Sequence, residues 1–328
     1  MVISVKNLNK KFKTKKKEAG LKGSLKAVFK PKYQFCDAVK NLNLEIQKGE
    51  SVAFIGPNGA GKSTTLKMLT GILFPSSGQM EVLGYEPSKE RKKLAYKIGT
   101  VFGQKSQLWF HLPPMDSFEL FSKIYDLEEK EYKKRLDYLI KVFEIKEFLY
   151  TPVRKLSLGQ RMRAELVLAL LHKPEIILLD EPTIGLDIMS KKALRKVIKT
   201  LNKEEGITLI LTSHDMDDIE SVCERVVIIN HGQVVYDDSM SNLKKHYLNK
   251  KVFEIIFENP IEKEFHKNGV SILEKEEFRI KCEVDLRKTG IKECMEEVMK
   301  EYEDKGIADI NISDREIEEI IEEIYKQK

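Results

Sequence analysis

The chain has 328 residues, 41% of them hydrophobic, which supplies the cores of about two domains and points to a folded, soluble protein. No stretch approaches the roughly 18 consecutive apolar residues of a membrane helix, and the start, Met1-Val2-Ile3-Ser4-Val5-Lys6, lacks a signal-peptide core. The expectation is a cytosolic protein that neither spans a membrane nor is exported. Net charge is a modest +5, and Cys36, Cys223, Cys282 and Cys294 are scattered without metal-ligand spacing, as reduced thiols are.

Residues 2–5 form a short β-like run. Between residues 6 and 32 there are eleven lysines and one acid, Glu18. Within 13–32, Leu21, Leu25, Val28 and Phe29 fall at helical spacing on one side, while Lys22, Lys26 and Lys30 form a row on another. That pattern suits an interfacial helix in contact with anionic lipid; its rival is a solvated loop, because Gly20 and Gly23 weaken a helix. Nucleic acid is not expected as a partner, since no other motif supports the basic run.

Further strands are expected over 43–46, 52–55, 79–83 and 98–102, the last ending near Gln104. Helix formers dominate 113–150, and Ser157 precedes a helix over 158–171. Residues 176–179 are continuously apolar, the mark of a parallel-sheet strand covered on both faces. Helices over 191–201 and 216–223 alternate with strands over 207–212 and 226–229, which makes the core α/β.

Beyond about residue 245 the pattern changes to a small α+β domain: strands over 252–257, 278–284 and 307–312, helices over 291–302 and 315–325. The expected domains are 1–243, with a helical subdomain at about 113–172, and 244–328. Between 301 and 323 ten acids face only Lys305 and Arg315, which reads as a solvated face.

The chemistry begins at Gly56-Pro57-Asn58-Gly59-Ala60-Gly61-Lys62-Ser63-Thr64, set between a buried strand and a helix. This is a P-loop pattern: backbone N–H groups and the helix N-terminus cradle phosphate, Lys62 reaches the terminal phosphates, and the Ser63 hydroxyl suits Mg²⁺. A nucleoside triphosphate is the implied ligand. Asp180 and Glu181 end a buried strand that Pro182 terminates; the first suits Mg²⁺ and the second can deprotonate water. His214 and Gln104 also follow strands at the edge where open α/β sheets bind ligands, although neither would be singled out alone.

In this order the motifs resemble the nucleotide-binding subunit of an ATP-binding cassette (ABC) transporter, over residues 1–243. Residues 56–64 resemble its Walker A and Gln104 its Q-loop. Leu156-Ser157-Leu158-Gly159-Gln160 resembles its signature, 176–180 its Walker B with Glu181 as catalytic base, Gly185-Leu186-Asp187 its D-loop, and His214 its switch histidine. Tyr33 takes the place of its adenine-stacking aromatic. Leu158 is a departure, because the family has glycine there and a side chain now stands where backbone would be bare.

The resemblance implies an α/β fold, a P-loop NTPase core of the ABC ATPase type with a helical subdomain and a C-terminal α+β domain. It implies ATP, with Mg²⁺ held by Ser63, Gln104 and Asp180. It further implies a nucleotide-dependent dimer in which Ser157, Gly159 and Gln160 of one chain close over ATP on the other. Separate transmembrane permease subunits would hold the protein at the inner face of the cell membrane, for export of a small molecule or drug. A polysaccharide exporter subunit and a soluble non-transport ABC ATPase are the alternatives.

Overall fold

The computed structural model describes residues 1–15, 33–102, 105–247, 250–261, 267–314 and 317–326, in two compact units, Met1–Asp238 and Ser239–Lys328. In the first unit, β1 (Ile3–Lys15), β2 (Tyr33–Ile46) and β4 (Ser77–Val82) form an antiparallel sheet in the order β2-β1-β4. The second sheet contains β3 (Ser51–Ile55), β5 (Ile98–Phe102), β6 (Ile176–Asp180), β7 (Thr208–Thr212), β8 (Arg225–Asn230) and β9 (Gln233–Ser239), in the order β5-β6-β7-β3-β8-β9. Its strands β5, β6, β7, β3 and β8 run parallel.

The continuously apolar strands of this sheet are covered on both faces, as their composition requires. On one side Val52, Phe54, Ile176, Leu178, Ile210 and Val227 join Leu8, Leu42 and Leu44 of the antiparallel sheet and Leu66, Met68 and Leu69 of α1 (Lys62–Leu69). Each such fully buried aliphatic side chain contributes about 1.5–3 kcal/mol. Two further helices follow along the chain, α2 (Pro87–Ala95) and α3 (Pro114–Ile124). On the other side, Ile177 and Leu209 meet Phe143 of α4 (Glu129–Phe143), Leu166 and Leu170 of α5 (Leu158–Leu170), and Ile198 and Leu201 of α6 (Ile188–Glu205). Buried Arg135 of α4 locks this layer: Nη1 and Nη2 bond to Glu205 at 2.7 and 2.9 Å, and Nε donates to the Leu170 carbonyl at 3.1 Å. Helix α7 (Met216–Val222) completes the unit.

The second unit begins with α8 (Met240–Tyr247) and holds an antiparallel sheet of β10 (Lys250–Phe257), β11 (Val270–Lys275), β12 (Arg279–Asp285) and β13 (Ile307–Asp314), in the order β11-β12-β10-β13. Phe253, Ile255, Phe257, Ile280, Cys282 and Val284 pack on Cys294, Val298 and Tyr302, the first two on α9 (Ile291–Glu301). The last helix is α10 (Ile317–Lys326).

Two differences from the sequence expectations have physical causes. Strands β1 and β2 extend far beyond 2–5 and 43–46, because the outer part of the hairpin is largely exposed and leaves no alternation to read. Strand β9 follows the two-residue turn His231-Gly232, where both residues have positive φ, 47° and 82°, as a tight hairpin turn demands. Phe118 lies fully buried in the core, whereas Trp109 and Phe110 are exposed. The lysine-rich docking segment lies, from residue 16 to residue 32, outside the described residues.

Candidate active site

The fully buried strand β3 delivers the phosphate loop to the C-terminal edge of the sheet, and two of the loop's glycines are there for space. A Cβ on Gly56 would collide with the Ile229 carbonyl oxygen, and one on Gly61, whose φ is 106°, with the Ala38 carbonyl oxygen. Gly61 is also the N-cap of α1, so the loop feeds directly into the positive end of a helix.

Lys62 is buried, and its ammonium group donates to the carbonyls of Gly56 and, at 3.3 Å, Pro57. Burial lowers its pKa, while the charges of Glu181 and Asp180 oppose that shift. The lysine, the loop and the two carboxylates therefore share one electrostatic site. Ser63 Oγ lies 3.4 Å from Asp180 Oδ1. Two hard oxygen donors side by side suit Mg²⁺, which is bound through one or two carboxylates together with substrate phosphates. Among the described residues no group of three or more His, Cys, Asp or Glu side chains could hold a metal ion.

Glu181 sits one residue past β6, in a left-handed conformation with φ of 55°. Its backbone N–H donates to the Thr212 carbonyl at 3.0 Å and to Thr212 Oγ1 at 3.1 Å, and Thr212 Oγ1 donates to Asp180 Oδ1 at 2.5 Å. Thr212 is a site residue that sequence reasoning passed over. The signal was its place at the end of β7, opposite Asp180 in parallel register. His214 Nε2 lies 3.0 Å from Glu181 Oε1, so these two predicted residues meet. Gln104 lies outside the described residues.

The signature segment is built as a helix start. Ser157 caps α5: its Oγ accepts from the Gln160 N–H at 3.2 Å, and its own N–H donates to Gln160 Oε1 at 2.9 Å, a reciprocal capping box. Ser157 is exposed and Gly159 buried, with a Cβ on Gly159 falling 2.8 Å from Ser190 Oγ. Leu158 packs against the D-loop, its Cδ2 being 2.9 Å from the place of a Cβ on Gly185. Asp187 in turn caps α6, accepting from Ser190 N at 3.0 Å and Ser190 Oγ at 2.6 Å, and these bonds hold its carboxyl below the usual pKa. Signature and D-loop thus form one surface, and the hydrogen bonds of Ser157 and Gln160 run to each other rather than to residues 56–64.

Tyr33 opens β2, and Lys13 Nζ lies 3.8 Å from its ring centroid. Ala38, which touches Gly61, is five residues further along β2, roughly 17 Å at the rise of a strand. Phe12 pairs with Cys36, only two residues from Ala38, or about 7 Å. The nearer aromatic is Phe12, which the sequence reading did not name.

The family model described as ABC transporter matches residues 39–184. The chain is 35% identical over 215 residues to the ABC transporter ATP-binding protein NatA of Bacillus subtilis (strain 168), covering 66% of this chain and 87% of that protein. It is 34% identical over 217 residues to the bacitracin transport ATP-binding protein BcrA of Bacillus licheniformis, covering 66% and 69%. Among solved structures, the dimeric post-hydrolysis state of the ATP-binding cassette MJ0796 bound to ADP and Pi superposes with a TM-score of 0.60 at 28% identity, over 73% of this chain and 98% of that one. With its phosphate loop, paired carboxylates and histidine at one sheet edge, the chain belongs to the ABC transporter family as an ATP-binding, ATP-hydrolysing subunit.

Proposed function

We propose that the protein powers export of a small molecule or drug through separate permease subunits, and that Glu181 is the general base of its ATPase site. The observation that carries the catalytic reading is the Glu181–His214 contact of 3.0 Å beside buried Lys62 and the Ser63–Asp180 pair. Residues 56–64 bind the phosphates, and Lys62 exchanges its bonds to the Gly56 and Pro57 carbonyls for the terminal phosphates. Ser63 and Asp180 would hold Mg²⁺, with Gln104, which lies outside the described residues, as the further ligand the resemblance implies, and the ion would neutralise phosphate charge. Glu181 takes the proton of the attacking water, and His214 fixes the carboxylate through its Nε2.

Ser157, Gly159 and Gln160 complete the site of a second copy, a reading supported by the exposed Ser157 and by the dimeric form of MJ0796. Exposed Ile188 and Met189, beside Asp187, supply apolar area for that contact. Exposed Trp109 and Phe110 are assigned to the permease. Transport of a small molecule or drug is supported by the name of one relative, a bacitracin transport protein. Phosphate release by the purified chain tests the base. Glu181→Gln should lower kcat by roughly 100-fold or more while leaving ATP binding intact. Equal turnover in variant and parent removes Glu181 from the role.

A further inference from the structure

Two separate loops carry Glu181 and His214, and the 3.0 Å contact between them is only as well defined as the distance between those loops. Glu181 holds a left-handed φ of 55°. Such a backbone persists only where the surroundings over-determine it. His214 follows β7 with its side chain 49% exposed, so packing does not fix it.

A single buried carboxylate reaches both loops. Asp218, 1% exposed on α7, accepts from Ser213 Oγ at 2.8 Å and from the Thr183 hydroxyl through Oδ2, and from Arg195 Nε at 2.5 Å through Oδ1. Thr183 is two residues after Glu181, Ser213 immediately precedes His214, and Arg195 lies on α6, the helix that Asp187 caps. Arg195 continues to Asp215 Oδ1 at 3.0 Å, and Lys191 reaches Asp215 Oδ2 at 2.5 Å. Glu181, Thr183, Gly185, Lys191, Ser213 and His214 line one cavity over this network.

We propose that Asp218 is a positioning residue for ATP hydrolysis: it holds Thr183, Ser213 and Arg195 so that Glu181 and His214 meet, and joins that pair to the helix capped by Asp187. The proposal rests on Glu181 as the base. The chemistry of the hub makes it specific. Arg195 Nε can only donate and needs an oxygen, whereas the Thr183 and Ser213 hydroxyls can reverse and accept. An asparagine at 218 therefore keeps all three bonds, with its oxygen on Arg195 and its NH₂ on the two hydroxyls. An alanine loses all three, yet Arg195 retains Asp215 and, at 3.4 Å, Asp217.

Steady-state phosphate release over a range of Mg-ATP concentrations, on the full chain, separates these cases. Asp218→Ala should lower kcat by roughly 10- to 100-fold, the effect of a small misplacement of the base. Its KM should stay within about twofold of the parent, because residues 56–64 are untouched. Asp218→Asn should recover most of the lost kcat, and Thr183→Val, which removes one hydroxyl from the hub, should fall between. Parental kcat in Asp218→Ala overturns the proposal, as does equal impairment of the Asn and Ala variants. If Asp218→Ala fails to fold, parental kcat in Thr183→Val overturns it instead. Glu181→Gln measured alongside distinguishes the two readings: its full activity removes the base itself, whereas its inactivity beside an unimpaired Asp218→Ala removes only the role of Asp218.

Discussion

Among single residues, the base-stacking aromatic is where geometry adds most to the sequence. Tyr33 stands where the family resemblance places that aromatic, but Lys13 covers its ring and Ala38, the residue against Gly61, is five positions away. Phe12 is hidden in a lysine-rich run, and only the pairing of β1 with β2 brings it near the phosphate loop. Stacking of a base on an aromatic ring is worth about 1–3 kcal/mol, or some 5- to 150-fold in affinity. Phe12→Ala should weaken ATP binding within that range in a fluorescent-nucleotide titration, and Tyr33→Ala should change it by less than about threefold. The reverse order would return the role to Tyr33. The placement of Lys62, Ser63, Asp180, Glu181 and His214 was legible because each lies at a strand end or helix start that hydrophobic pattern reveals. Thr212 and Asp218 were not, because their partners are fixed by the register between strands and by helix packing, which composition does not encode.

At the level of elements, continuous apolar runs read correctly as β3, β6, β7 and β8, since a strand buried on both faces has no polar positions to confuse it. The half-exposed β11 passed unread for the opposite reason. The turn after α5 shows what element packing does to a titratable group. His172 stacks on Tyr125 with centroids 4.0 Å apart and planes 9° from parallel, and its Nε2 bonds to the Ile98 carbonyl at 3.2 Å. That bond makes Nε2 the protonated nitrogen, and Nδ1 is left buried without a partner. Burial pushes the imidazole down from 6.5 to about 4; nearby Arg135 adds to the shift and the Ile98 bond opposes it. Because the folded value is depressed, the unfolded chain takes up this proton first. The contribution of His172 to stability is complete above pH 6.5 and falls away towards pH 4. Melting temperatures of the parent and of His172→Gln should therefore converge, or cross, on acidification through that window. A difference that stays constant from pH 7 to about pH 4 would contradict the buried neutral imidazole.

For the molecule as a whole, the α/β cassette was legible from the order of its motifs, and among the described residues no helix is long and apolar enough to cross a membrane. Among the described residues the signature serine caps its own helix, on a surface shared with the D-loop. If residues 56–64 and Glu181 form the proposed ATPase site and a second copy completes it, Glu181→Gln, on which bound ATP persists, should show by light scattering on size-exclusion chromatography twice the monomer mass with ATP and Mg²⁺, and the monomer mass with ADP or without nucleotide. A monomer at saturating ATP would rule out the shared site.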